Sequence, residues 1–148
     1  MEEQSSLRKS KWLIFSATSI AVLVITLNGS VVNIALPGIT AFYGTTINNA
    51  EWVVLIYLLV MSSLLLTFGR LGDMYSHKRV FLCGLAVFTA ASYLVSRAPT
   101  IGYLIFFRGL QALGASMVVA VVQAIIATTF EPWERGRAIG LNSAFVSL

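Results

Sequence analysis

Four long apolar runs without a charged residue constrain this chain more than any other feature of its sequence. They cover residues 12–36, 52–69, 80–96 and 109–130. A helix needs about 20 consecutive apolar residues to cross a bilayer, so each run is close to the length of one crossing. The runs are continuous, whereas the strands of a membrane barrel alternate polar and apolar residues. The sequence therefore predicts an all-α, polytopic membrane helix bundle.

The composition favours a membrane protein over a soluble one. Hydrophobic residues make up 57% of the chain and charged residues 11%, and the mean hydropathy is +0.85. These proportions leave too little polar surface for a soluble globular protein. The sequence has no phosphate-binding loop of the form G-x-x-x-x-G-K-[ST], and its single histidine and single cysteine suggest no metal cluster. We therefore expect no enzymatic activity, no cofactor and no metal site.

The predicted organisation is a tail over residues 1–11 and a transmembrane bundle over residues 12–148. The approximate spans are 12–36, 52–70, 79–97, 101–130 and an incomplete fifth at 138–148. Only eleven residues follow Arg137. As a helix they would rise about 16 Å, roughly half the hydrocarbon thickness. We expect the chain to be the N-terminal part of a longer protein.

Basic residues are concentrated on one predicted side of the membrane. Eight lie in the tail, between spans two and three, or after span four: Arg8, Lys9, Lys11, Arg70, Lys78, Arg79, Arg135 and Arg137. The opposite side holds only Arg97. The positive-inside rule then predicts a multi-pass protein of the cell membrane with a cytoplasmic N-terminus. This topology accounts for the net charge of +4, so we infer no nucleic-acid partner.

Arg108 is the only charged residue in the interior of a predicted span, and two positions are open to it. Span four is about 45 Å long at 1.5 Å per residue, so Arg108 could snorkel to the outer interface. It could instead face inward, where Gln111 on the same helix face could bond to it. A charge inside a membrane is costly, so an inward pair would indicate a polar cavity. The spacing alone favours neither position.

Asp73 follows the predicted end of span two, where the helix dipole disfavours an anion. It should therefore have a cationic or hydrogen-bond-donating partner. The candidates are Arg70, Lys78, Arg79 and the N-terminus of a helix outside this chain. The alternative is a solvated acid in a tight turn.

Small residues recur at four-residue spacing along span four: Ala112, Ser116, Ala120, Ala124 and Thr128. Such a ridge lets another helix approach closely. It is consistent with packing inside the bundle. It is also consistent with a small four-span scaffold or assembly protein that does not transport anything.

Two segments resemble motifs of the major facilitator superfamily. Residues 69–79 resemble the signature G-x-L-A-D-R-x-G-R-K, which joins spans two and three in that family. The matching residues are Gly69, Leu71, Asp73 and Lys78. Residues 108–114 resemble the span-four motif R-x-x-Q-G-x-G, with Ala112 in place of a glycine. In the family, that arginine is associated with proton coupling.

A third segment indicates the branch of the superfamily. Residues 27–37 resemble L-D-x-T-V-V-N-V-A-L-P, a motif of the 14-span drug:proton antiporters. Asn28 occupies the aspartate position of this motif, and an amide cannot ionise. We therefore expect any coupling acid to lie beyond Leu148.

The resemblance implies an alternating-access carrier whose helical bundles rock about a site near the membrane midplane. Its expected activity is proton-coupled export of drugs or other small amphipathic molecules. The residues implied for the substrate or proton pathway are Asn28, Asn33, Arg108 and Gln111. Those implied for a conformational switch between bundles are Gly69, Arg70, Asp73, Lys78 and Arg79. The expected partners are the lipid bilayer, a small-molecule substrate, protons and the remaining helices of the full-length transporter.

Overall fold

The computed structural model describes residues 2–130 and positions 134, 136, 139 and 140, with side chains from residue 11 onward. Four helices follow one another: α1 (Glu2–Tyr43), α2 (Ile47–Met74), α3 (His77–Ser96) and α4 (Ile101–Thr129). The predicted fifth span at 138–148 falls outside the described residues, apart from positions 139 and 140.

All four helices are long and apolar enough to cross a membrane. The shortest, α3, has 20 residues, which at about 1.5 Å per residue matches a hydrocarbon core of about 30 Å. Lys11–Tyr43 of α1 and the whole of α4 are longer, with 33 and 29 residues. The predicted all-α bundle with four membrane spans is confirmed.

The first helix continues past the apolar run that predicted it. That run ends at Leu36, whereas α1 passes through Pro37 and ends at Tyr43. Proline removes one backbone donor from the helix, and α1 continues beyond it. Gly44 then adopts a φ of +58°, and the N–H of Thr45 donates to the carbonyl of Thr40 at 3.1 Å. This left-handed glycine is a common way for a helix to end.

The connection between α2 and α3 consists of only Tyr75 and Ser76. The segment interpreted as a loop from its sequence is therefore mostly helical. Its charged residues lie in the last turns of α2 (Arg70, Asp73) and the first turn of α3 (Lys78, Arg79). We call this end of the molecule the α2–α3 corner, residues 69–79. Polar residues extend both helices beyond the apolar runs, which is why the runs underestimated their length.

Helix α4 is the centre of the bundle. It packs mainly against α3 and α2, and eleven of its residues are buried, against four in each of those helices. Its crossing with α3 is close because both helices present glycine there. A Cβ added at Gly114 would lie 2.8 Å from the carbonyl oxygen of Gly84 and from the Cα of Phe88. A side chain at Gly114 would therefore push the two helices apart.

The small-residue ridge on α4 has a mixed environment. Ala112 and Ser116 are fully buried, whereas Thr128 at the other end is exposed. A close approach of α3 and α4 occurs at Gly84 and Gly114, a pair outside the predicted ridge. Part of the ridge thus packs inside the bundle.

Candidate functional site

Arg108 lies inside the bundle. Its side chain is only 2% exposed, although α4 is long enough to have let it snorkel. The structure thus selects the inward position of the two that the sequence left open. An inward arginine places a full positive charge among four membrane-spanning helices, so its partners decide what the site can do.

Arg108 is held by neutral hydrogen-bond acceptors. Its Nη1 group donates to Asn28 Oδ1 at 2.5 Å and to Gln111 Oε1 at 2.6 Å. Its Nε group donates to the carbonyl oxygen of Val53 at 3.5 Å, a long contact. These bonds tie α4 to α1 and α2. Three of the predicted pathway residues, Asn28, Arg108 and Gln111, thus form one cluster, the Arg108 network.

The network continues to α3 through a residue that sequence reasoning missed. Gln111 Nε2 donates to Ser92 Oγ at 2.7 Å, and Ser92 Oγ donates to the carbonyl oxygen of Phe88 at 2.7 Å. The sequence offered no signal for Ser92, because a single serine in an apolar helix usually bonds only to its own backbone. With Ser92 included, the network connects all four helices.

Tyr57 on α2 is the second residue that sequence reasoning missed. Its ring covers the guanidinium of Arg108, with Cζ 4.5 Å from the ring centroid, which is cation–π geometry. The side chain is 4% exposed. Its hydroxyl has no hydrogen-bond partner among the described residues. A tyrosine hydroxyl in the middle of an apolar span usually has a hydrogen-bond partner, so the position of Tyr57 in the sequence could have indicated a polar site.

The charge of Arg108 has no acidic counterpart in the described part of the chain. Its described hydrogen-bond acceptors are two amide oxygens and a backbone carbonyl. Its Nη2 group makes no hydrogen bond to any described residue. Burying an ion without a counter-charge is costly. The arrangement therefore favours a negatively charged or strongly electron-rich group at the free side of the guanidinium.

Asn33 lines a cavity beside Arg108, and no hydrogen bond joins the two described side chains. It is exposed and lies on α1. It lines a cavity of about 230 Å³ together with Thr26, Gly29, Ser30, Val54, Tyr57, Leu58 and Arg108. Asn28 thus fixes the guanidinium directly, whereas Asn33 offers a polar group on the cavity wall.

At the α2–α3 corner, Asp73 has a partner that the sequence interpretation did not propose. His77 Nε2 lies 3.0 Å from Asp73 Oδ1, four residues along the chain and across the connection between α2 and α3. Within the described residues, none of the expected cations Arg70, Lys78 and Arg79 forms an ion pair with Asp73. The corner is open, with Asp73 73% exposed. A groove of about 890 Å³ between α2 and α4 borders it and is lined in part by Gly69, Arg70 and Asp73.

Comparison with known proteins decides the family. The model of the Major Facilitator Superfamily matches residues 18–148. This chain belongs to the Major Facilitator Superfamily. The match includes three of the four membrane-spanning helices in full and most of the first, so it covers both the Arg108 network and the corner.

Individual relatives agree with this assignment. The riboflavin transporter RibZ of Clostridioides difficile is 37% identical over 140 residues, covering 95% of this chain and 31% of the relative. The puromycin resistance protein pur8 of Streptomyces alboniger is 39% identical over 125 residues, covering 84% and 25%. The multidrug resistance protein Stp of Mycobacterium tuberculosis is 33% identical over 143 residues, covering 96% and 27%. The chain thus spans less than a third of the length of each of these curated relatives.

The structure gives physical reasons for parts of the major facilitator motifs in this chain. The arginine and glutamine of the span-four motif, Arg108 and Gln111, bond to each other. Its last glycine, Gly114, permits the close crossing of α4 with α3. At Gly72, where the corner signature has alanine, an added Cβ would be 2.7 Å from Val121 Cγ1 on α4. The span-four motif thus builds the polar centre and the crossing with α3, whereas the close packing of α2 on α4 depends on a residue that departs from the corner signature.

Proposed function

We propose that this chain is the N-terminal part of a secondary active transporter of the 14-span drug:proton antiporter branch. The complete protein exports drugs or other small amphipathic molecules by alternating access, with its N-terminus in the cytoplasm. The observation that carries this proposal is Arg108, a buried charge without a described acidic partner that bonds directly to α1 and α2 and, through Gln111, to α3. Intramembrane charges of this kind mark substrate or ion pathways. The names of the relatives, which include a transporter and two resistance proteins, support the same activity.

In this proposal the Arg108 network forms one wall of the transport pathway. Gln111 and Asn28 hold the guanidinium of Arg108 in place, and Asn33 adds a neutral hydrogen-bonding group to the cavity wall. Arg108 attracts an anionic group or tunes a proton carrier that lies beyond Leu148. Asn28 cannot be that carrier, because an amide does not ionise.

The α2–α3 corner acts as the conformational switch. Gly69 and Arg70 line the groove between α2 and α4, and Lys78 and Arg79 are exposed on the first turn of α3. Asp73 near the end of α2 contacts His77 at the start of α3, so it links the α2 residues of the corner to the α3 residues. A second bundle that contacts these exposed groups in only one state would shift the equilibrium between the inward-open and outward-open forms.

Flux through the complete transporter tests the proposal. Everted membrane vesicles energised by a proton gradient should accumulate riboflavin or puromycin, the compounds named in two relatives. Arg108→Ala removes the charged donor of three hydrogen bonds, one of them long, so we expect flux to fall at least about 100-fold. Arg97→Ala is the matched control, because Arg97 is exposed and packs on the ring of Tyr93.

Two results would contradict the proposal. One is equal flux in the wild type and Arg108→Ala. The other is complete absence of flux for both compounds in a correctly inserted protein, which would favour the non-transporting scaffold.

A further inference from the structure

The hydroxyl of Tyr57 is a buried polar group that the transport proposal does not use. It is inaccessible to solvent and has no hydrogen-bond partner among the described residues. Buried hydroxyls are nearly always paired, so an unpaired one needs an explanation. Tyr57 also lines the cavity of about 230 Å³ that reaches Arg108. Tyr57 and Arg108 therefore line the same small cavity.

The geometry fixes which part of Arg108 remains available. Asn28 and Gln111 occupy Nη1, and the ring of Tyr57 covers one face of the guanidinium at 4.5 Å. With these contacts the arginine is pre-organised, so little conformational freedom is left to lose on binding. The free Nη2 group and the Tyr57 hydroxyl are both hydrogen-bond donors. Two donors, one of them charged, suit an anionic oxygen group.

From these observations we infer that Tyr57 and Arg108 form a subsite for the anionic oxygen group of a ligand, such as a carboxylate. The inference rests on the proposed function, since the ligand would be a transported molecule that carries an anionic group. Riboflavin and puromycin are not anions at neutral pH, so they test flux and not this subsite. The cavity is smaller than the roughly 300 to 1,000 Å³ of pockets that enclose a whole drug-sized molecule. The subsite therefore takes one charged substituent, while the rest of the ligand lies outside it.

Thermal unfolding of the purified complete transporter with two isosteric probes tests this subsite. Benzoate and benzamide share a planar ring and differ in charge. Benzoate should raise the melting temperature in a saturable way, whereas benzamide should not. Tyr57→Phe keeps the ring over Arg108 and removes only the hydroxyl, so it should raise the benzoate Kd by roughly tenfold or more. Equal effects of benzoate and benzamide on the wild type would overturn the inference.

A second tyrosine–arginine pair in the described part of the chain serves as the control. Cζ of Arg97 lies 5.4 Å from the ring centroid of Tyr93, and Tyr93 is exposed. Tyr93→Phe should therefore leave the benzoate Kd unchanged. Asn28→Asp is an independent variant. It would place a carboxylate against Nη1 of Arg108 and should abolish the benzoate effect by neutralising the site. Unchanged benzoate binding in both Tyr57→Phe and Asn28→Asp would contradict the subsite.

The two proposals can fail separately. Flux of riboflavin or puromycin without any preference for benzoate would refute the anion subsite and leave the transport proposal standing. A benzoate effect that depends on Tyr57, in a protein without flux, would support the subsite and contradict the transport proposal.

Discussion

Arg108 at the centre of the bundle and Asp73 at the α2–α3 corner are both charged residues of family motifs, yet their surroundings are opposite. Arg108 is 2% exposed and its described acceptors are all neutral. Asp73 is 73% exposed and lies next to His77, which is charged only when protonated. A buried charge strongly affects whatever binds beside it, whereas an exposed pair is screened by water and salt. This difference supports the roles that we propose, ligand recognition at the centre and reversible contacts between bundles at the corner.

The largest effect is expected at the centre, from Gln111→Leu. The change leaves Nη1 of Arg108 with one acceptor fewer and removes the donor to Ser92. Losing buried hydrogen bonds of this kind should lower the free energy of unfolding by about 3 kcal/mol. Thermal unfolding of the complete transporter should show a clearly lower melting temperature. Gln123→Leu, an exposed position on the same helix, should show no such loss. Equal melting temperatures for the two variants would contradict the claim that the buried centre contributes more to stability than exposed positions do.

An intermediate effect is expected at the corner, from Asp73→Asn. Because Asp73 is mostly exposed, its removal should change the free energy of unfolding by less than about 1 kcal/mol. Flux should nevertheless fall by roughly tenfold, because the proposed switch depends on a contact made in one state only. Flux assays and melting temperatures on the same preparations separate the two quantities. A destabilised protein with normal flux would assign Asp73 a structural role instead.

Part of this architecture was predictable because its signals are local. The apolar runs predicted four spans, and the three-residue spacing of Arg108 and Gln111 predicted that they share a helix face. The contacts of Ser92 with Gln111 and of Tyr57 with Arg108 could not be predicted, since they arise only through packing between different helices. The extent of the α2–α3 corner was missed for another reason. Its polar residues continue both helices past the apolar runs, so hydropathy alone ended the helices too early.

The smallest effect is expected from His77→Gln. The contact of His77 with Asp73 joins the start of α3 to the end of α2 at an open site, and exposed pairs contribute about 0.2 to 1 kcal/mol. The melting temperature should therefore change little. Any effect should disappear in 1 M salt, where the Debye length falls to about 3 Å. A large loss of stability that persists in high salt would show that the corner is as tightly coupled to the fold as the centre.

The most direct test of the central claim is a double-mutant cycle between Arg108 and Asn28 in the complete transporter. The claim is that Arg108 lies inside the bundle and bonds to α1 through Asn28 at 2.5 Å. The free energies of unfolding of Arg108→Met, Asn28→Ala and the double variant give the coupling energy between the two side chains. Our account predicts a coupling of about 1.5 to 3 kcal/mol, as expected for a hydrogen bond from a charged group. A coupling near zero would mean that the two side chains do not meet, and it would contradict the account.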